Sequence, residues 1–139
     1  MKNKKCLFGV ICVIITGSLI WWNAPCSIIN IAPLEVSKIG IFNGKTGKSI
    51  IITDTTDIEH IIKNLNEVSL KKEKISLGYM GYSYRITIYK ANDYVYKKFI
   101  INSSNTIRKD PFFYRDSSGS IDYKYIQKCL IRMANEILL

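Results

Sequence analysis

The sequence predicts an α+β domain in which an antiparallel sheet of about five to six strands packs with two amphipathic helices, preceded by an N-terminal transmembrane helix. Three features predict it. The uncharged run CLFGVICVIITGSLIWW occupies residues 6–22. Two later stretches place apolar side chains at helical spacing, and between and before them lie short runs rich in Ile, Tyr and Phe, separated by Gly, Asn and Pro.

The first run would span roughly 25 Å as a helix at about 1.5 Å per residue, the short end of a membrane span. Lys2, Lys4 and Lys5 precede it and no lysine directly follows. That asymmetry predicts a single-pass protein of the cell membrane, with residues 1–5 cytoplasmic and the C-terminal domain extracellular. Trp21 and Trp22 suit one membrane–water interface and Lys4 and Lys5 the other, so the lipid bilayer is the partner expected for residues 6–22. A cleaved secretory signal is the competing reading. Two tryptophans end the run and Pro25 follows Ala24, which makes a poor cleavage site, although Ala24-Pro25-Cys26 and Thr16-Gly17-Ser18 remain as alternatives. Acylation of Cys26, as in bacterial lipoproteins, is a third reading, opposed by Pro25 where a small residue belongs.

NAPCSIINIAPLEV (residues 23–36) has neither helical nor strand periodicity and reads as a tether or irregular lead-in, leaving residues 37–139 as the domain. KIGIFN (38–43) and KSIIIT (48–53) read as strands. Between them, FNGKTGKS ends like a phosphate-binding loop. Such a loop needs a glycine where Phe42 stands and a helix where Ile50, Ile51 and Ile52 follow, so a hairpin turn with positive φ at Asn43-Gly44 and Gly47 is expected instead.

DTTDIEHIIKNLN (54–66) is the clearest helix, its stripe formed by Ile58, Ile61, Ile62 and Leu65, with Asp54 or Thr56 as the cap. EVSLKKEKISLG (67–78) reads as a strand with a charged centre leading into a loop. YSYRITIYK (82–90) and VYKKFIIN (95–102) are strands joined at Asn92-Asp93, a register that sets Ile86 opposite Phe99 and Tyr84 opposite Ile101. TIRK (106–109) is a short strand and Pro111 a break before FFYR. After the loop RDSSGS, Ser120 caps a C-terminal helix with Ile126, Cys129, Leu130, Met133 and Ile137 on one face.

The chemistry of common active sites is missing. His60 is the only histidine and reads as a surface or boundary residue. No His, Cys, Asp or Glu cluster has metal-ligand spacing, no cofactor is implied, and Asp54, Asp57 and Glu59 read as helix-start residues. Catalysis therefore has no sequence support. Of four cysteines, Cys6 and Cys12 belong to the span. Cys26 and Cys129 could bridge in an oxidising compartment, but Cys129 on an apolar helical face reads as a small buried hydrophobe. The formal charge is +9, or +6 without Lys2, Lys4 and Lys5. Its lysines are scattered among acids, which suits a solvated surface or contact with anionic wall polymers; the external location argues against nucleic acid.

Nine tyrosines are the unusual resource. In the register above Tyr89 faces Tyr96 and Thr87 faces Lys98, with Arg85 on the same outer face, a combination able to hold a peptide, glycan or polymer. The plainer reading is that the tyrosine pairs stabilise a half-exposed sheet.

The succession TDTTDIEHIIKNL, YRITIYK, KFIIN and FFYRDSSGSIDYKYIQKCL resembles small membrane-anchored or secreted domains of unknown function from Gram-positive Firmicutes, over about residues 37–132. The resemblance implies an extracytoplasmic α+β domain and carries no catalytic or ligand residues. Residue chemistry and resemblance together point to a non-enzymatic binding or interaction module with an envelope protein, peptide or anionic wall polymer as partner, in an immunity or envelope-stress role. The alternative is an envelope enzyme or inhibitor whose pocket joins Arg85, Arg115 and Asp116.

Overall fold

A computed structural model describes residues 2–136, with side chains described for residues 6–135. The interface lysines Lys4 and Lys5, as side chains, and the stripe residue Ile137 fall outside these sets. Helix α1 (Lys2–Asn23) is long and apolar enough to cross a membrane, and its segment Cys6–Asn23 is not buried by the rest of the chain. Its few polar side chains turn inward. Thr16 and Ser18 hydroxyls donate to the carbonyls of Cys12 and Ile14, and Asn23 donates to Leu19, which suits a medium without water.

The remainder is α+β with one antiparallel sheet. Its strands are β1 (Lys38–Asn43), β2 (Ser49–Ile52), β3 (Lys71–Ile75), β4 (Tyr84–Tyr89), β5 (Val95–Ser103), β6 (Thr106–Lys109) and β7 (Phe112–Arg115). Helix α2 (Thr55–Glu67) follows β2 and α3 (Tyr123–Glu136) follows β7. The spatial order is β2-β1-β4-β5-β6-β7-β3, seven strands against the five to six expected. FFYR is the extra one. Pro111 lacks an N–H but stands just before the strand, where none is needed, and its carbonyl accepts the Ser76 N–H at 2.8 Å. The charged KKEK of β3 goes to the sheet edge beside β7, a position that tolerates lysine and discourages further pairing.

One face of the sheet is buried. Ile39 and Ile41 of β1, Ile86 and Ile88 of β4, Ile101 of β5 and Ile107 of β6 form a cluster with Ile58, Ile61, Ile62 and Leu65 of α2 and Ile126 and Cys129 of α3. Each such side chain contributes about 1.5–3 kcal/mol on leaving water. Ile28, Ile29 and Ile31 join the same cluster. The lead-in is thus irregular in backbone but docked: Cys26 and Leu70 exchange N–H···O bonds of 2.8 and 2.9 Å, and the Asn66 amide bonds both backbone groups of Ile31.

Local signals are mostly as read, with one exception at a cap and one in a turn. Asp54 caps α2, accepting the Asp57 N–H at 3.0 Å. Asp122 caps α3 by accepting the Tyr125 N–H at 3.1 Å, because Ser120 is already held by Asp116. In the β1–β2 turn Gly47 has φ +71°, while Gly44 serves by close approach: an added Cβ would stand 2.4 Å from the Tyr82 carbonyl oxygen. Asn43 Oδ1 accepts the Lys45 and Thr46 N–H groups, and the chain returns as strand after Lys48, so no helix N-terminus is available for a phosphate.

Candidate functional site

Both α2 and α3 pack on one side of the sheet, which leaves the other side without a helical layer. Alternation along the strands and the observed register place Phe42, Arg85, Ile100, Arg108, Phe113 and Lys74 in one row across six strands of this open face. A second row holds Gly40, Thr87 and Lys98. Thr87 does face Lys98, Ile86 faces Phe99 and Tyr84 faces Ile101.

Tyr89 does not face Tyr96. A bulge after Ile88 puts Val95 opposite Tyr89, and both Asn92 and Asp93 take positive φ, 56° and 57°, in the turn. The extra residue is Tyr96, which packs against the core. Its hydroxyl accepts the Asn30 N–H at 3.2 Å and donates to the Asn30 carbonyl at 3.0 Å, so it clamps the lead-in instead of contributing to the open face. Tyr89 stays on that face, with the Lys38 ammonium 5.0 Å from its ring centre.

Arg85 and Lys98 meet at a depression of about 420 Å³ that is also lined by Arg108, Lys109 and Asp110. The segment between β3 and β4 crosses the face and fixes the guanidinium groups. Arg85 donates to the Tyr82 hydroxyl at 2.9 Å and lies 4.7 Å from the Tyr82 ring centre and 5.5 Å from that of Phe42. Arg108, buried, donates to the Tyr79 and Gly81 carbonyls at 2.8 and 3.3 Å. Its Nε is 3.4 Å from Asp110 Oδ1 but makes no hydrogen bond. Asp110 also accepts the Ser76 hydroxyl, so its charge is shared. Among the described residues Arg85 and Lys98 form no ion pair with a carboxylate. Three cations, Arg85, Lys98 and Arg108, around one shared carboxylate make a place that attracts carboxylate or phosphate groups, with aromatic planes to hold the arginine fork in position.

Sequence reading found Arg85 and Lys98 but missed Arg108, Tyr82 and Phe42. Once the Ser103–Asn105 turn fixes β6 against β5, Arg108 falls opposite Ile100, and that register was the signal for it.

Elsewhere, titratable groups bind the helices to each other. Asp57 is buried, accepting the Tyr125 hydroxyl at 2.7 Å and pairing with Arg132. The hydrogen bond to Asp57, with burial second, pushes the Tyr125 phenol up to about 12. His60 Nε2 lies 2.9 Å from Asp122 Oδ2 and its ring stacks on Tyr125 at 3.8 Å. Arg115 pairs with Glu73 and shares a depression with Asp116, but Arg85 lines a different one, so the three are not brought together. Among the described residues no group of three or more His, Cys, Asp or Glu side chains is placed to hold a metal ion. Cys26 and Cys129 are both free thiols, the latter buried.

The fold and face define an α+β domain carrying an apolar N-terminal helix and an open cationic sheet surface. No protein-family model, curated protein or solved structure matches the chain, so its function is argued from this geometry.

Proposed function

We propose that this chain is a membrane-tethered, non-enzymatic binding module that presents the open face of its sheet, outside the cell, to an anionic partner: an acidic segment of an envelope protein or peptide, or an anionic wall polymer. Helix α1 is the anchor, with residues 1–5 on the cytoplasmic side. The observation that carries the reading is the depression in which Arg85, Lys98 and Arg108 surround the single carboxylate of Asp110. Its rigid support, from the Tyr82 and Phe42 rings and the Tyr79 and Gly81 carbonyls, holds the arginines in place before a ligand arrives, which lowers the entropic cost of binding. The same external setting agrees with the resemblance to Gram-positive envelope domains.

The test uses the full chain in neutral detergent micelles and two fluorescent probes, poly-glutamate and a glycerol-phosphate polymer, read by anisotropy. Arg85→Gln with Lys98→Gln removes two partly exposed charges worth about 0.5–1 kcal/mol each, and weakens binding about 5- to 30-fold. Affinity that is equal in the variant, or that is insensitive to salt between 50 and 500 mM, would refute the site.

A further inference from the structure

The junction between the helix and the domain gathers rings and lysines at one level. Trp21 and Trp22 both meet Phe112 edge-on, at 5.9 and 5.7 Å between ring centres. Phe112 pairs directly with Lys109 in β6 and with Ile75 in β3. The Cys26–Leu70 bridge is antiparallel, so β3, which starts just after Leu70, runs back toward the end of α1. Accordingly Lys72 reaches Trp21: its ammonium donates to the Trp21 carbonyl at 3.1 Å and stands 4.0 Å from the ring centre.

A pair of lysines lies beside this group. Lys97 and Lys109 stand on the same side of the adjacent strands β5 and β6, Lys97 beside the Tyr96 ring, and burial together with the Lys97 charge holds the Lys109 ammonium below its usual range. Two other lysines at this end of the sheet have carboxylates, Lys38 with Asp93 and Lys90 with Glu35. Among the described residues Lys72, Lys97 and Lys109 form no such pair. A like-charged pair raises the local positive potential, which an anion shared between the two groups relieves.

Tryptophan rings settle at the depth of lipid headgroups. We infer that Lys72, Lys97 and Lys109 form a site for the phosphate of an anionic phospholipid in the leaflet that Trp21 and Trp22 enter. The inference rests on the reading of α1 as a membrane anchor. It differs from the open-face proposal, because these lysines lie with Phe112 on the helix-bearing side of the sheet and serve to set the domain's orientation on the bilayer. Phosphate oxygens bridge the Lys97 and Lys109 ammoniums, while Lys72, stacked over Trp21, adds positive charge beside the tryptophans.

The chain contains two tryptophans, Trp21 and Trp22, which makes them a built-in probe. The full chain is reconstituted in phosphatidylcholine vesicles containing either brominated phosphatidylcholine or brominated phosphatidylglycerol at equal mole fraction, and fluorescence quenching is compared. The expected result is quenching by both lipids, with phosphatidylglycerol preferred at least about fivefold at the tryptophans. The preference falls to about one in the Lys72→Gln, Lys97→Gln, Lys109→Gln variant and in high salt, and is kept when Lys97 and Lys109 are changed to Arg. Equal quenching by the two lipids in the unaltered chain overturns the lipid site and leaves the anchor standing. Absence of quenching by either lipid removes the anchor, and this site with it.

Discussion

Asp116 gives the most quantitative handle on the fold. Its carboxylate accepts the Ser118 N–H at 3.0 Å, the Ser118 hydroxyl at 2.7 Å, and the Ser120 N–H and hydroxyl at 2.7 Å each. Burial pushes this carboxyl up, but the Ser120 and Ser118 hydroxyls and N–H groups outweigh it and hold it at about 2. A fall from an ordinary value near 3.9 to about 2 corresponds to about 2.5 kcal/mol at about 1.36 kcal/mol per pH unit. Because the folded value is the lower one, this stability is fully present above about pH 5 and is lost as pH falls through 4 toward 2. Asp116→Asn keeps the shape but replaces a charged acceptor by an amide whose NH₂ faces donors. Urea unfolding of the full chain in neutral micelles, followed by far-UV circular dichroism, should show the variant about 2–3 kcal/mol less stable at pH 7 and nearly equal to the parent at pH 2. A stability difference that stays constant between pH 7 and pH 2 would show that ionised Asp116 does not staple this loop.

Three further perturbations separate structure from binding. Tyr96→Phe removes both hydrogen bonds to Asn30, costs about 1 kcal/mol in thermal unfolding because water can reach the exposed Asn30 backbone in their place, and leaves polyanion affinity unchanged. Gly44→Ala drives a Cβ into the Tyr82 backbone and costs about 1–3 kcal/mol; displacement of the Tyr82 ring from Arg85 should also weaken polyanion binding, and anisotropy titration checks this. Asp57→Asn breaks the link from α2 to Tyr125 and Arg132, at about 1–3 kcal/mol given that Arg132 is half exposed, and the Tyr125 phenol should titrate nearer its ordinary range in ultraviolet difference spectra.

Much of this architecture was legible where the deciding interactions are local. The Ile58, Ile61, Ile62 and Leu65 stripe repeats at 3.6-residue spacing, and the Ile86–Phe99 pairing follows from strand alternation closed by a short turn. The place of β3 was not legible, since a charged strand beside β7 is positioned by the distant Cys26–Leu70 bridge and by the edge it caps. Ile28, Ile29 and Ile31 carried no periodicity, although their apolar character was a sign that the lead-in would be buried. Of the four residues grouped from the sequence, Arg85 and Lys98 share the depression and Tyr89 lies on the same face. Tyr96 was misplaced because one extra residue in a bulge reverses the face of a side chain, and alternation cannot foresee it.

The most direct measurement of the central claim is the accessibility of the open face in living cells. Lys98→Cys is introduced into the full chain with Cys6, Cys12 and Cys26 changed to Ser, leaving Cys129, which is 1% exposed, as an inert control. A membrane-impermeant maleimide applied to intact cells should label this position, and an anionic wall extract should protect it. Labelling that appears only after the cells are lysed would contradict an external cationic face.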